Sequence, residues 1–319
     1  MNSGFERRQA PSPAPRGPSA GARRLGALRK DLPFYLMLAP AVVWVFVFQY
    51  IPMPGVVMAF KDYDIIKGIF ASPWAGLKHI ANIAKVPMLR EAVFNTLWLN
   101  VVALGVCFTL PIIFALLLNE IRNSLFKRVV QTLSYLPYFL SWISIIAICY
   151  TVYSLDGIIN DMRVLFGAAD RIMFLARGSF FAPNYIILTL WHGLGWSSII
   201  FIAAIAGVDA ELYEAAILDG ATRFQQAMRV TLPSIAPTIV IMLIFNIGGL
   251  LGSNFELVYG LQNAFIDFEV ISTVLFKSGI QQGNYSMATA VGLMQGLITF
   301  LLTAAANQIS KKVRDVSLW

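Results

Sequence analysis

The sequence predicts an all-α polytopic membrane protein with six transmembrane helices, and three observations point to this fold class. Hydrophobic residues make up 58% of the 319 residues and charged residues only 13%, whereas soluble domains average roughly 45–50% and about 25%. The mean hydropathy is +0.69. Six apolar runs approach the ~20 residues that a helix needs to cross a bilayer core. This composition excludes a disordered chain, a disulfide-rich secreted domain and an ordinary soluble enzyme.

The N-terminal segment, residues 1–33, differs from the rest of the chain. Of its five prolines, the four within residues 11–18 lie among Ser, Ala, Gly and Arg, and such a composition cannot bury a core. We therefore expect a flexible basic cytoplasmic tail. The apolar stretch that begins at Phe34 lacks a small-residue cleavage site, so we expect a retained first span rather than a signal peptide.

The apolar runs define an expected transmembrane domain over residues 34–310, followed by a short cytoplasmic tail, 311–319. Pro111 and Pro137 should kink the second and third helices, because proline cannot donate the helical hydrogen bond. A surface-lying helix is expected around residues 76–92. The expected spans are approximately 34–59, 93–118, 129–153, 185–206, 234–252 and 288–308.

The distribution of basic residues predicts the orientation. With the N-terminal tail placed inside, the inner segments carry 15 Lys and Arg residues and the outer segments nine, which favours both termini in the cytoplasm. The net charge of +7 does not indicate a nucleic-acid partner, because the basic residues lie in short clusters between apolar runs. Two cysteines and two histidines are too few for a typical metal site.

The connection between the fourth and fifth runs carries more local signals than a linker needs. Asp209 is placed to cap a first short helix, and Gly220 to end it in a left-handed turn. Thr222 and Gln225 have the capping-box spacing for a second helix, which Pro233 should close. Two capped helices at the membrane surface would form a rigid lever for contact with another protein.

This connection, residues 208–233, resembles the "EAA" loop of permease subunits of binding-protein-dependent ABC importers. The pattern is Glu214-Ala215-Ala216, three residues, Gly220, nine residues and Val230-Thr231-Leu232-Pro233, with Val230 where Ile is commoner. In that family the loop is a coupling helix that docks on an ATPase subunit. The resemblance implies that the ATPase-coupling residues are Glu214, Ala215, Ala216, Asp219 and Gly220.

Further motifs resemble carbohydrate permeases of the lipoprotein, polysaccharide or aldouronate type. They are Tyr50-Ile-Pro-Met53, Ala59-Phe-Lys-Asp-Tyr63, Ser72-Pro-Trp-Ala-Gly-Leu77, Leu261-Gln-Asn263 and Ser317-Leu-Trp319. The resemblance implies a non-catalytic permease in a bacterial inner membrane that imports an oligosaccharide. The implied partners are a second homologous permease, two ATPase subunits that bind ATP and Mg, and an extracytoplasmic solute-binding protein.

The energy source is expected to lie in those partners. The sequence contains no G-x-x-x-x-G-K-[ST] motif, so this chain has no phosphate-binding loop of that kind and no cofactor of its own is expected. Closure of the two ATPases would push the coupling helices together and turn the spans outward-open, which is an alternating-access mechanism.

Polar residues near the last two spans are candidates for the substrate path. Polar side chains are costly in hydrocarbon, and sugars are bound by amides, carboxylates and aromatic faces. Hydrogen bonds between helices explain each candidate equally well, and they explain Asn95 and Asn100 better. The candidates are Asn246, Asn254, Glu256, Tyr259 and Gln295.

The basic residues of the first outer connection leave the charge of the substrate open. They would suit an acidic oligosaccharide such as a uronate, but charges in a loop usually form a solvated surface. These residues are Lys61, Lys67, Lys78 and Lys85.

Two other functions are compatible with several spans. An ion-driven secondary transporter would need acids within the spans, and only Glu256 lies near one. An intramembrane hydrolase would need a Ser–His pair; His192 and Ser197 are five residues apart, so on one helix they point about 140° away from each other.

Overall fold

The computed structural model describes the backbone of residues 20–314 and the side chains of residues 31–312. Regular structure in this part of the chain is helical, apart from two isolated bridges, Lys61–Trp74 and Asn263–Ile266, which confirms the all-α prediction. The α-helices are α1 (Ala20–Val45), α2 (Gly68–Ala71), α3 (Lys78–Ile83), α4 (Pro87–Glu120), α5 (Ser124–Tyr135), α6 (Trp142–Val152), α7 (Ile158–Leu165), α8 (Phe181–Ala206), α9 (Ala210–Leu218), α10 (Arg223–Gln226), α11 (Leu232–Ser234), α12 (Ala236–Gly248), α13 (Phe255–Leu261), α14 (Ile271–Leu275) and α15 (Tyr285–Arg314).

Shorter helical turns of other types connect several of these helices. Three are π-helical: Phe46–Tyr50, Ala227–Thr231 and Phe276–Gln281. The 3-10 turns are Met53–Phe60, Leu136–Phe139, Phe174–Ala176, Gly178–Phe180 and Gly249–Leu251.

Among the described residues, the six predicted apolar runs correspond to four single helices and two bent helix pairs. The four single helices are long and apolar enough to cross a membrane, and each bent pair meets the same criterion when its helices are taken together. The chain is therefore a polytopic membrane protein. The single helices are Asp31–Phe60, Pro87–Glu120, Gly178–Ala206 and Tyr285–Lys312; the pairs are Ser124–Phe139 with Trp142–Val152 and Arg223–Ser234 with Ala236–Leu251.

The third predicted span is broken rather than kinked. Its two halves meet at 101° just after Pro137, where Leu140 is extended. Ser141 then starts α6, and its hydroxyl accepts a hydrogen bond from Ser144 N at 3.3 Å. A proline followed by a new N-cap ends one helix and begins another. The kink expected at Pro137 is therefore a complete break between two helices. α4, in contrast, continues through Pro111.

The surface helix expected over residues 76–92 is also shorter than predicted. α3 covers only Lys78–Ile83, and Val86 is extended because the residue before a proline disfavours the α conformation. Pro87 then opens α4, at a position where its missing N–H costs nothing. The chain from residue 87 onward therefore belongs to a transmembrane helix.

The chain divides into two compact units, one ending at Gly55 and the other beginning at Val56. In the first unit α1 begins at Ala20, so residues 20–33 are helical where a flexible tail was expected. Their Ala, Leu and Arg content favours a helix. Residues 1–19 of the predicted tail lie outside the described residues, and so do residues 315–319 of the C-terminal tail.

In the second unit, α4 is the central helix. It has 34 residues, about 50 Å at 1.5 Å per residue, and it contributes to all three buried apolar clusters. Leu99 packs in the middle cluster with residues of α6, α8 and α13. Leu89 packs towards α14 and α15, and Ala115 towards the end of α8 and the bend before α12. This packing holds α8 and α12, the helices on either side of the 208–233 loop, against one support.

Candidate functional site: a capped helical loop and a polar cavity

The first helix of the 208–233 loop, α9, is closed at both ends by local hydrogen bonds. The Asp209 carboxylate accepts from Glu211 N at 3.0 Å, as the sequence predicted. At the other end, Ala221 N donates to Ala216 O at 2.9 Å across Gly220, whose φ is +75°. This is the left-handed C-terminal turn that glycine permits without strain.

The second helix starts with the predicted capping box. Thr222 N donates to Gln225 Oε1 at 2.8 Å, and Gln225 N donates to Thr222 Oγ1 at 3.4 Å. The helix continues through a π-turn and Pro233 to Ser234, where the chain bends by 62° into α12. Pro233 therefore lies one residue before the end of the helix that it was expected to close.

Two further contacts fix the loop to the rest of the molecule. The Tyr213 hydroxyl on α9 lies 2.9 Å from Thr231 Oγ1 on the second helix, which ties the two helices together. Arg223 Nη1 donates to Glu120 Oε2 at the end of α4, at 3.3 Å. The loop is thus a folded unit attached to the central helix.

The residues predicted to couple to an ATPase share one accessible helix end. Glu214, Ala215, Asp219 and Gly220 are exposed, and Ala216 is half-buried. The structure adds apolar side chains that sequence reasoning missed: Leu218 is 89% exposed and Phe224 is 74% exposed. Exposed apolar patches are typical of surfaces that contact another protein or a membrane. Their signal in the sequence is weak, because single apolar residues occur in most loops.

A cavity of about 370 Å³ lies between α4, α8 and the α12 segment, and we call it the polar cavity after the Asn and Thr side chains in its otherwise mainly apolar lining. Asn100 on α4 closes one wall, donating to Leu250 O at 2.9 Å and Gly252 O at 3.1 Å. Thr189 on α8 has a buried hydroxyl oxygen with no hydrogen-bond partner among the described residues. Asn246, also in the lining, donates one N–H to Met242 O at 2.8 Å, which leaves its amide oxygen for another ligand.

The structure does not bring the five substrate-path candidates together. Of these candidates, Asn246 lines this cavity. Asn254 caps α13 through Leu257 N at 2.9 Å, and Gln295 donates to Leu251 O at 2.8 Å. Glu256 is exposed in the first turn of α13.

Tyr259 borders a separate cleft, where its hydroxyl accepts from Gln281 Nε2 at 3.3 Å. Asn95 donates to Glu269 O at 2.9 Å, and Asn100 likewise bonds backbone carbonyls. Both amides therefore have structural partners outside α4, but Glu269 and Gly252 lie between helices rather than in them. Sequence reasoning missed Tyr185 and Thr189 as cavity residues, since only the packing of α8 on α4 places them there.

Two of the four lysines in the first outer connection are engaged in holding that connection together. Lys61 Nζ donates to Ile69 O at 2.7 Å. Lys78 Nζ lies 2.9 Å from the Asp62 carboxylate, and its hydrogen bond holds the pKa of that carboxyl below its ordinary value. These contacts favour a structural role for Lys61 and Lys78 over a role in attracting an acidic sugar.

The His192 ring packs against other rings. It lies 4.2 Å from the Trp142 ring and 5.1 Å from the Tyr138 ring. This environment suits an aromatic packing residue at the break between α5 and α6.

The long apolar helices, together with the capped loop that precedes the Arg223–Leu251 pair, are typical of a membrane permease. Comparison with known proteins gives its family. Residues 107–315 match the family model described as the binding-protein-dependent transport system inner membrane component. The chain belongs to this family. It is a multi-pass membrane protein and a non-catalytic transport subunit.

Two similar relatives come from Bacillus subtilis (strain 168). One is the polygalacturonan/rhamnogalacturonan transport system permease protein YteP, 41% identical over 89% of this chain and 89% of the relative. The other is the protein LplB, 38% identical over 94% of this chain and 95% of the relative.

A solved structure has the same fold. It is a chain of a bacterial ABC transporter involved in the import of the acidic polysaccharide alginate, with a TM-score of 0.83 and 34% identity over 92% of this chain and 99% of that chain. A second crystal structure of a bacterial alginate ABC transporter, in complex with a pentasaccharide-bound periplasmic protein, matches with a TM-score of 0.83 and 33% identity over 93% of this chain and 100% of that chain.

Proposed function

We propose that this chain is one permease subunit of an ATP-driven importer that moves an acidic oligosaccharide across a bacterial inner membrane. The observation that carries the proposal is the likeness, over nearly the whole chain, to the alginate importer, at 34% identity and a TM-score of 0.83. The relative at 41% identity is named as a transport permease for polygalacturonan and rhamnogalacturonan, which are uronate-containing polysaccharides. The acidic character rests on these likenesses rather than on the outer lysines.

The 208–233 loop, which contains α9 and α10 and which we call the coupling loop, is the proposed docking site for an ATPase subunit. Its ends are capped, it is tied to α4 by the Arg223–Glu120 pair, and its exposed surface combines Glu214 with Leu218 and Phe224. An apolar centre with a charged neighbour is typical of a protein interface. Because the unit is rigid, movement of the docked ATPase would be transmitted to α4 and α12 rather than lost in loop flexibility.

The cavity between α4, α8 and α12 is the proposed part of the substrate path. Its volume of about 370 Å³ falls in the range of small-ligand sites, roughly 300–1,000 Å³. The Thr189 hydroxyl and the Asn246 amide can exchange hydrogen bonds with sugar hydroxyls. Since α12 follows the coupling loop directly, a change in the loop's position would alter this wall of the cavity, as alternating access requires.

The remaining partners follow from the same proposal. A second, homologous permease subunit would complete the pore, and a solute-binding protein would deliver the oligosaccharide to the outer connections. The excess of basic residues on the segments taken as inner supports both termini in the cytoplasm. The outer connections are then residues 61–92, 154–184 and 253–287.

The test is uptake by the complete transporter in proteoliposomes. The chain is co-expressed with its neighbouring permease, ATPase and binding-protein genes, and uptake of galacturonate and mannuronate/guluronate oligosaccharides is compared with uptake of neutral oligosaccharides of equal length. We expect uptake of one acidic series that requires ATP and the binding protein. Uptake that persists without ATP and collapses with an ionophore would overturn the proposal in favour of a secondary transporter. Uptake of neutral oligosaccharides alone would show that the substrate is not acidic.

A further inference from the structure

α7, in the connection between α6 and α8, presents an apolar stripe outward. Its stripe residues are 47–82% exposed. At 100° per residue they fall within an arc of about 100°, which is the apolar stripe of an amphipathic helix. Nothing in the coupling loop or the polar cavity uses this surface. The stripe residues are Ile158, Met162, Leu165 and Phe166.

The opposite face of α7 is held in place by a buried asparagine. Asn160 is completely buried; its amide donates to Ser154 O and Ile172 O, both at 2.9 Å, and its oxygen accepts from Ile172 N at 2.9 Å. Arg171 adds a contact to Asp161 at 2.8 Å. Because these bonds fix the rotation of the helix, the apolar stripe cannot turn inward to find cover.

The depth of α7 in the membrane follows from the turn that precedes it. A Cβ atom at Gly157 would lie 2.4 Å from Val152 O and 2.6 Å from Thr151 O, so the start of α7 is pressed against the last turn of α6. α6 is half of a bent pair that is apolar enough to cross the bilayer. If this pair crosses the bilayer as one broken span, a helix packed on its end would lie at the boundary between acyl chains and headgroups.

The charge of this connection identifies the kind of surface that covers the stripe. Residues 154–184 contain three Asp and three Arg, and Arg171 is paired with Asp156 and Asp161. A charge-neutral connection offers no electrostatic complementarity to a charged protein partner. An apolar stripe at bilayer-boundary depth is instead complementary to the lipid interface itself.

We propose that α7 is an interfacial helix whose stripe inserts into the bilayer surface where α6 ends. It inserts about 5–10 Å into the headgroup and acyl boundary, the usual depth of such helices. Through the turn at Gly157, it holds the end of α6 at a fixed height while the transporter changes conformation. The inference does not depend on the identity of the transported sugar.

Site-directed spin labelling of the complete transporter in nanodiscs tests this proposal. Phe166→Cys and Leu165→Cys are labelled in a background in which Cys107 and Cys149 are replaced, with Asp170→Cys in the same connection as a matched control. We expect the labels at positions 165 and 166 to collide more often with oxygen than with a water-soluble nickel chelate, and the label at position 170 to do the reverse. The depth should be equal in zwitterionic and anionic lipids, because the connection is neutral.

Two outcomes would overturn the proposal. Labels at positions 165 and 166 that are as accessible to the nickel chelate as the control would place the stripe in water. Labels shielded from both reagents would indicate a protein cover, from the second permease or the solute-binding protein. As a second measurement that retains an aromatic side chain, Phe166 is replaced by a benzophenone amino acid and irradiated; a lipid adduct by mass spectrometry supports the proposal, and a protein adduct contradicts it.

Discussion

The 208–233 loop, which we propose as the coupling loop, and the polar cavity lie at the two ends of α12 and depend on very different kinds of information. Every cap of the loop joins residues within six positions of each other, such as Asp209 with Glu211 and Thr222 with Gln225. The cavity joins residues far apart in the chain, and Asn100 reaches across 150 residues to Leu250 O. The loop is therefore stable by local bonding, whereas the cavity exists only when three helices pack.

This difference suggests a division of labour between the two regions. A docking element must keep its shape while the rest of the protein moves, and local caps provide that independence. A substrate path must open and close, and a wall built from helices that meet only by packing can change with their relative position. Variants at each region should therefore fail in different ways.

The largest effect is expected for Glu214→Arg. A reversed charge at a docking surface costs several kcal/mol, so uptake should fall by about 100-fold or more, while membrane insertion and yield stay normal because Glu214 is exposed. Uptake and ATP hydrolysis are measured together in proteoliposomes. Glu211→Arg, an exposed position on the first turn of the same helix, is the control; wild-type uptake by Glu214→Arg would refute the coupling role.

A second test concerns the apolar part of the same surface. Leu218 is 89% exposed, and a substitution at so exposed a site normally changes stability by less than about 0.5 kcal/mol. If the side chain is buried by an ATPase, Leu218→Asp should lower co-purification of the ATPase by about tenfold or more, with an unchanged thermal midpoint. Leu218→Met, which keeps the apolar volume, should behave as wild type. Equal recovery of ATPase with both variants would exclude this contact.

The cavity should respond through substrate affinity. Thr189→Val removes a buried hydroxyl without a protein partner, so the free energy of unfolding should be unchanged or higher, while the KM for uptake should rise about threefold to tenfold if that hydroxyl binds sugar. Asn95→Leu is the contrasting variant, since Asn95 bonds Glu269 O; it should lower stability without a selective rise in KM. An unchanged KM for Thr189→Val would show that the Thr189 hydroxyl does not bind the transported sugar, and would contradict the placement of this cavity in the substrate path.

A smaller effect is expected at the glycine that ends α9. Gly220 has a φ of +75°, and no atom lies within 4 Å of a Cβ placed there, so Gly220→Ala should cost about 1–2 kcal/mol through backbone strain alone. Hydrogen exchange of residues 210–222 should become several-fold faster. Gly105→Ala is the matched control, because Gly105 has equal space but ordinary helical geometry and alanine favours a helix. Equal hydrogen-exchange rates in the two variants would show that the turn at residue 220 does not require glycine.

The smallest effect concerns pH at Asp62, far from both regions. Lys78 holds the pKa of this carboxyl below its ordinary 3.8. A lowered folded-state pKa adds stability above the unfolded value, and this stability is lost as the pH falls through the folded value. The protection of residues 61–79 from hydrogen exchange in wild type relative to Asp62→Asn should therefore be present at pH 6 and disappear below pH 3.8. A difference that persists in strong acid would exclude this origin.

The expectations from sequence succeeded where the signal is local or is set by hydrophobic length. Four of the six apolar runs match single helices long and apolar enough to span a membrane, and the other two match bent helix pairs. Both N-caps of the 208–233 loop formed as predicted. They were less accurate at Pro137, where a kink proved to be a break of 101°, and at residues 84–92, where Pro87 starts a new helix. Pro137 was expected only to kink its helix, and the surface helix expected over residues 76–92 took no account of Pro87.

The substrate-path candidates show the limit of that approach. Asn254 and Gln295 are polar residues near the spans, but they satisfy backbone groups, while Thr189 was not a candidate and has the unpaired hydroxyl of the cavity. A hydrogen bond between residues on two different helices produces no periodic pattern in the sequence, so such a pairing could not be predicted. The same holds for α7, whose outward stripe follows from the burial of Asn160.

By itself, the amino-acid sequence determined that the chain spans a membrane, which way its charges favour insertion, and where the two helices of the 208–233 loop are capped. These properties depend on transfer of apolar runs from water and on hydrogen bonds between near neighbours in the chain. The tertiary structure alone decided which polar groups share a cavity, which lysines are already paired, and which face of α7 is left outward. Those features depend on how helices distant in sequence meet, because their partners are chosen by packing rather than by spacing.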